Sequence, residues 1–454
     1  MFNTEARILY PGMRLSFFAI IFLVLVPLTV VRAGVDNEEA PDSDIVEYFR
    51  EQGIHVPGIA DLEPLISRAS EHRLVLLGGG SQGTSEFHTW RAGISRWLIE
   101  EHGFDFVIIE GDWPLAYPVN LYVKHLNEEP TDSRKVLENF SRWPQWLWRN
   151  EEMLEFISWM HEHNRDLPES NRAGFYGLDI HAYEHAMADV IQFLEKVDPS
   201  AVEDVQQHYH CFERFDDHQA YVQFFRVNDA HCGEEMEAVS DLMDANRETY
   251  MAVDSIGFVG AYQSARSMIF FERYVRAEIR PEPHAWNHRV DHFHDVINGL
   301  FELYGEDARG IVWAHNIQVG DARATTMGKR NIGQIFREEF GEDQVYAVGL
   351  STYRGYVSAG SSEGGARERL RVPNARPGSY ERLMYQTGIS PLLIMFDNPE
   401  EHQQLWDPPR GSRSIGEVYY PSQDFYQDYI LGVIPRQFDA FIFFERTREL
   451  VPLE

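Results

Sequence analysis

Short, uninterrupted apolar runs recur along this 454-residue chain, and each ends in a polar or glycine-rich cluster. Residues 74–77 run into GGGSQG, 106–109 into Glu110-Gly111-Asp112-Trp113-Pro114, and 174–178 into Asp179-Ile180-His181. Residues 310–314 run into His315-Asn316, and 345–350 into Ser351-Thr352-Tyr353. Apolar strands without alternation are the mark of a parallel sheet covered on both faces. Between them, helical periodicity predicts helices over 85–102, 151–164, 182–197, 203–212, 232–247, 255–277 and 290–304. The expected fold is therefore α/β: a parallel-rich central sheet covered by helices, with a last strand at 440–444. The block from about 183 to 280 carries no convincing strand and reads as a helical insertion that roofs the crevice, while 355–421 is irregular and rich in Gly, Pro and Arg.

In a parallel sheet the carboxyl ends of neighbouring strands open on one crevice, so the polar clusters predict where the functional site lies. The first of them, LVLLGGGSQGTSEF, reads as strand, glycine turn and a helix capped by Thr84 or Ser85. A nucleotide loop is a poor fit. The GxxxxGK[ST] pattern needs a lysine where Thr84 follows Gly83. The GxGxxG pattern is met only loosely by Gly78, Gly80 and Gly83, and the strand-end acid Glu110 leads into a Trp-Pro turn rather than a ribose pocket.

Composition narrows the partners. With 72 acidic against 40 basic residues the formal charge is -32, which repels nucleic acid and anionic membrane surfaces. At the amino terminus, Met13-Arg14 precedes a long apolar stretch, and Val31-Arg32-Ala33 offers small residues at the -3 and -1 positions of a cleavage site before Gly34. Residues 1–33 are thus expected to be a signal peptide, with an uncleaved anchor as the competing reading. Residues 34–43 form a polar linker, residues 44–454 the α/β domain with its insertion at 183–280, and the protein is expected to be secreted or periplasmic. In an oxidising compartment Cys211 and Cys232 are free to pair; two separately buried thiols is the equal alternative.

A Ser or Cys nucleophile is not expected, which leaves carboxylate or histidine base catalysis, or a metal. Glu86, Glu110, Asp112, Asp179 and Asp321 all lie at or near strand ends, where crowded carboxylates acquire split pKa values suited to acid and base work. A structural role is the better expectation for any single one. His315-Asn316 directly follows a strand and is well placed for catalysis, or else is a buried histidine that holds a loop. His288, Asp291, His292 and Asp295 share one helical face, the spacing of a weak two-histidine metal site. Trp113 and the aromatic run at 140–150 are core or the wall of an apolar ligand pocket.

The ordered motifs LGGGSQGTSEF, IIEGDWP with Asn120 and Tyr122, WPQWLWRN, YGLD, AWNHRVDH, VWAHNIQVGDARATTMG, NIGQ and IPRQFDAFIFFERT resemble the erythromycin esterase family from about Leu74 to Pro452. The resemblance implies an α/β fold with helical additions. It also implies hydrolysis of an ester or lactone by activated water, as the best-known members open the erythromycin macrolactone, without a covalent serine intermediate or a cofactor. Positions that match the family are Glu86, Arg91, Glu110, Asp112, Asp179, Glu272, Arg289, His292, His315, Asn316, Asp321 and Arg323.

Three departures stand against these matches. Gly79 and Gln82 occupy the places of the glutamate and histidine of GExxHG, Gln318 replaces the second histidine of HNxHxGD, and Asp428-Tyr429 stands for a His-Tyr pair. Glutamine takes no proton from water near neutrality, and losing a general base costs on the order of 100- to 10,000-fold in rate. The catalytic candidates are accordingly His315 or His292 with Glu86, Glu110 and Asp112. Gln82, Trp113, Asp179, Asn316, Gln318, Asp321 and Arg323 are the candidates for binding a small-molecule ester, lactone or related ligand. A non-catalytic exported binding protein and a metal-dependent enzyme are the alternatives.

Overall fold

The apolar runs become the strands of one twisted sheet. The computed structural model describes residues 42–127, 130, 132–215, 217–228, 230–397 and 399–453; the expected signal peptide and nearly all of the linker lie outside them. In chain order the strands are β1 (Ile54–His55), β2 (Leu74–Leu77), β3 (Phe106–Asp112), β4 (Gly174–Asp179), β5 (Gly310–Trp313), β6 (Val345–Gly360), β7 (Arg367–Val372), β8 (Leu392–Met395), β9 (Arg410–Arg413), β10 (Tyr429–Gly432) and β11 (Ala440–Thr447). The main sheet has the order β1-β8-β11-β6-β2-β5-β3-β4, with β7 folded back antiparallel on the far half of β6. From β11 to β4 every pairing is parallel; β1 and β8 extend the sheet antiparallel, and β9 with β10 forms a separate ribbon.

Alternation of side chains divides the core. Val75, Leu77, Val107, Ile109, Ile311 and Trp313 face one layer, and Leu74, Leu76, Phe106, Ile108 and Val312 face the other. The first layer is closed by the helices Ser85–His102 and Glu151–Asn164, the second by His284–Tyr304, Ile332–Phe340 and Tyr380–Gln386. Both faces are covered, so the central strands carry no polar alternation. Among the described residues no helix is long and apolar enough to cross a membrane.

Between Tyr183 and Ala277 the described residues form five helices and no strand, with their own apolar core built around Val190, Met236, Ala265 and Met268. The last of these, Arg247–Ala277, is kinked at Asp254, whose side chain accepts from Gly257 N and thereby restarts the helix. Cys211 and Cys232 are joined in a disulfide across this subdomain, with Cα atoms 5.8 Å apart.

Topology positions the site. The chain builds β2, β3 and β4 outward, then returns to lay β5 between β2 and β3, so the ends of these four strands adjoin. Leu77 and Ile109 both pair with Trp313, which sets Gly78, Glu110 and Ala314 at one level. A register shift between Ile109 and Asp112 then turns β3 toward the end of β4. Gly177 makes this approach possible, since a Cβ there would lie 2.5 Å from the Gly111 carbonyl oxygen.

Candidate active site

Glu110 ends the apolar part of β3 and is buried. Its Oε2 accepts from the His315 backbone N–H at 2.8 Å and from Gln82 Nε2, while its Oε1 accepts from Arg289 Nη2 at 3.0 Å. Arg289 projects from the helix His284–Tyr304 and also grips Asp179 at the end of β4, with Nε to Oδ1 at 2.9 Å and Nη2 to Oδ2 at 2.7 Å. Asp112 accepts from Arg142 Nε at 2.7 Å and from Ala182 N at 3.0 Å. His181 Nε2 stands 3.5 Å from Asp179 Oδ1, and the His181 ring meets Tyr274 edge-on with centroids 5.2 Å apart. Three carboxylates, two arginines and a histidine, drawn from four segments of the chain, therefore meet at one end of the sheet.

The glycine turn after β2 is fastened by its backbone. Gly78 N and Gly80 N donate to Val348 and Leu350 carbonyls, Gly79 O accepts from Asn316 N, and Gly80 O accepts from Ile415 N. The segment after β9 is thus stitched over the turn, and it carries Glu417 toward Glu110. Arg91, buried behind the turn, donates to the Gly78 and Ala314 carbonyls. Instead of holding phosphate, the loop brings Gln82 against Glu110.

Electrostatics separate the two central acids. Burial, helped by Asp179 and Glu417, lifts the Glu110 pKa to about 7 against the opposing pull of Arg289 and the His315 N–H. Burial also works against the Asp179 charge, but Arg289, His181 and Arg142 outweigh it and hold that carboxyl below the usual range. One carboxyl exchanges its proton near neutrality while its neighbour stays ionised, a division of labour that active sites use for acid and base chemistry.

The other expected site residues lie in different settings. His315 enters through its backbone, while its ring is taken up by Ile317 N at Nδ1 and the Ile415 carbonyl at Nε2; burial and the nearby Arg91 push its pKa down to about 4. His292 is buried with Nδ1 on the Leu178 carbonyl at 2.7 Å and Nε2 on Ser267 Oγ at 2.9 Å. Glu86 faces away and ties down Arg448 at the end of β11. Trp113 is core, stacked on Tyr117 and Tyr176 and donating to the Gly260 carbonyl. Asn316 clamps Leu350 of β6, and Gln318 is buried in the short helix Asn316–Val319. Asp321 and Arg323 bind one another and line a separate cavity of about 550 Å³ with Arg436 and Asp439.

The proposed metal face does not converge. His292 is engaged as above, Asp295 holds Arg266, and Asp291 holds Arg330; among the described residues no group of three potential ligands comes together. Sequence reasoning left Arg142 and His181 out of the site. Arg142 is one of two arginines in an aromatic run, and His181 lies two residues past a strand-end acid; each was a readable but faint signal.

A family model described as erythromycin esterase matches residues 99–447, well over half of the chain. The glycine turn with Gly79 and Gln82 lies ahead of the matched stretch. Among solved structures, the chain is similar to a protein described as a succinoglycan biosynthesis protein, at 19% identity over 90% of this chain and 98% of that one, with a TM-score of 0.73. A protein from Bacillus cereus aligns at 16% identity over 91% and 99%, with a TM-score of 0.74. A mutant of the erythromycin esterase EreC in its open conformation aligns at 16% identity over 86% and 95%, with a TM-score of 0.62. At such identities these structures establish the shared α/β fold.

Proposed function

Because the chain belongs to the erythromycin esterase family, we propose that it hydrolyses an ester or lactone of a small molecule by activating water, with Glu110 as a proton-exchanging group of the reaction. The observation that carries this reading is the Glu110 carboxyl itself: buried, held by Arg289 and a backbone N–H, and poised to exchange a proton near pH 7. Arg289 and Arg142 supply positive charge beside it. In a buried setting such preoriented cations stabilise the negative charge that develops on a carbonyl oxygen under attack.

The test is turnover of a panel of 4-nitrophenyl esters, simple lactones and erythromycin by the wild-type protein and by Glu110→Gln. Glutamine keeps the shape and cannot exchange the proton, so kcat/KM is expected to fall on the order of 100- to 10,000-fold. Equal background rates in both proteins, with a ligand still bound, would replace the hydrolase reading with that of an exported binding protein.

The protein is proposed to act outside the cytoplasm, a reading supported by the leader pattern at 1–33 and by the Cys211–Cys232 pair. Amino-terminal sequencing of the mature chain is expected to begin at Gly34; a start at Met1 or Met13 would overturn it.

A further inference from the structure

We infer that His181, at the end of β4, is the base that takes a proton from the attacking water. This rests on the hydrolase reading above and assigns within it the role that Gln82 is unable to fill.

The histidines near the strand ends differ in what their ring nitrogens are doing. His88 lies between the carbonyls of Thr84 and Leu147, His292 between Ser267 Oγ and the Leu178 carbonyl, and His315 between Ile317 N and the Ile415 carbonyl. All three are buried and serve as cross-braces. His181 is different. Its ion-pair contact is Asp179 Oδ1, 3.5 Å from Nε2; Nδ1 has no hydrogen-bond partner among the described residues, and its side chain is 28% exposed. An imidazole with a carboxylate within ion-pair distance of one nitrogen and an unoccupied second nitrogen is able to act as a base. His181 and Arg142, 33% exposed, form the solvent edge of the cluster.

The charged and titratable groups that face the ring are Asp179 from β4, Arg142 from the aromatic segment, Arg289 from the helix His284–Tyr304, Asp112 from β3 and Tyr274 from the helix Arg247–Ala277. Burial lowers the His181 pKa, Arg142 and Arg289 lower it further, and Asp179 and Asp112 oppose them; the balance is below the ordinary value. The ring is therefore able to accept a proton at pH 7, where Glu110, with a pKa of about 7, still carries a proton in a substantial share of molecules.

The step balances. Water gives one proton to His181 Nδ1 and its oxygen bonds to the carbonyl carbon. The bond from that carbon to the alcohol oxygen then breaks, and Glu110 gives its proton to the departing oxygen. Acid and alcohol are released, and transfer of one proton from His181 to Glu110 through solvent restores both groups. No oxidant, metal or cofactor enters the balance.

The experiment compares wild type, His181→Gln, His181→Gly and Glu110→Gln on the alkyl ester or lactone that wild type turns over fastest, across pH 4 to 9, with folding checked by urea midpoint. For His181→Gln, kcat is expected to fall on the order of 100- to 10,000-fold with KM nearly unchanged, and the acidic limb of the pH profile to vanish. Added imidazole is expected to restore turnover to His181→Gly and not to Glu110→Gln. Wild-type kcat and an intact acidic limb in His181→Gln, or no response of His181→Gly to imidazole, would overturn the assignment. Loss of activity in Glu110→Gln alone would leave the hydrolase reading standing and remove His181 from it; no turnover by wild type on any ester or lactone would remove both.

Discussion

Nη2 of Arg289 lies 3.0 Å from Oε1 of Glu110, and the same guanidinium binds both oxygens of Asp179, so one cation from a covering helix joins the ends of β3 and β4. All three side chains are largely buried. Removing the cation leaves two carboxyls without their compensating charge. Arg289→Met is expected to destabilise the fold by about 3–5 kcal/mol, read from urea unfolding at pH 7. A loss below about 1 kcal/mol would mean that water reaches the carboxyls and the site is not closed as described.

Glu110 makes stability depend on pH in a particular direction. Its folded pKa of about 7 lies above the unfolded value of about 4.3, so the folded protein keeps a proton that the unfolded chain has released. That contribution is fully present below pH 4.3 and is lost as pH rises through 7. Relative to Glu110→Gln, wild type is expected to lose on the order of 3 kcal/mol of unfolding free energy between pH 4 and 8. Asp179 has the opposite sign, since its folded pKa is depressed: its contribution is present above about pH 3.9 and disappears in acid. A difference curve that stays flat across pH 4 to 8 would contradict the assignment of Glu110.

Gly83, at the end of the glycine turn, lies where a Cβ would stand 1.8 Å from the backbone oxygen of Ser358, and Ser358 N donates to the Gly83 carbonyl at 2.9 Å. Backbone cannot step aside as a side-chain tip does. Gly83→Ala is expected to cost about 1–3 kcal/mol or more and to displace β6 from the turn, read as a lower urea midpoint. An unchanged midpoint would show that the turn has slack.

The Cys211–Cys232 disulfide closes a loop of 21 positions in the helical subdomain. Such a loop restricts the unfolded chain by about 3 kcal/mol. The double variant Cys211→Ser/Cys232→Ser is expected to lower the stability of the subdomain by that order and leave the central sheet intact, as read by hydrogen exchange of 183–277 against 74–77. Equal loss of protection in both would show that the subdomain and sheet unfold together.

Much of the sheet was readable because its strands are short, apolar and ended by glycine or polar residues. The runs at 74–77 and 310–314 became β2 and β5 nearly to the residue. Longer elements extend past their expected ends: 345–350 continues to Gly360, and β3 continues through Glu110-Gly111-Asp112 to the helix Trp113–Val123, where a Trp-Pro turn was expected. There, local signals such as Gly and Trp-Pro gave way to pairing with β4 and to packing of Trp113 on Tyr117 and Tyr176. The stretch 355–421, expected to be irregular, holds β7, β8, β9 and the helix Tyr380–Gln386, because antiparallel strands of four to six residues carry little pattern of their own.

The sequence by itself determined that this is a parallel-rich α/β chain with strand-end chemistry and an erythromycin esterase-like order of motifs, because buried strands, helix periodicity and motif order are all local. It also placed Glu110, Asp112 and Asp179 at strand ends that share one edge. Only the tertiary structure decided which ring nitrogens are spent on backbone, that Arg289 crosses from a helix to join Glu110 with Asp179, and that His181 is left unspent. Those facts depend on which segments approach across the sheet, and such approaches are fixed by packing between residues far apart in the chain.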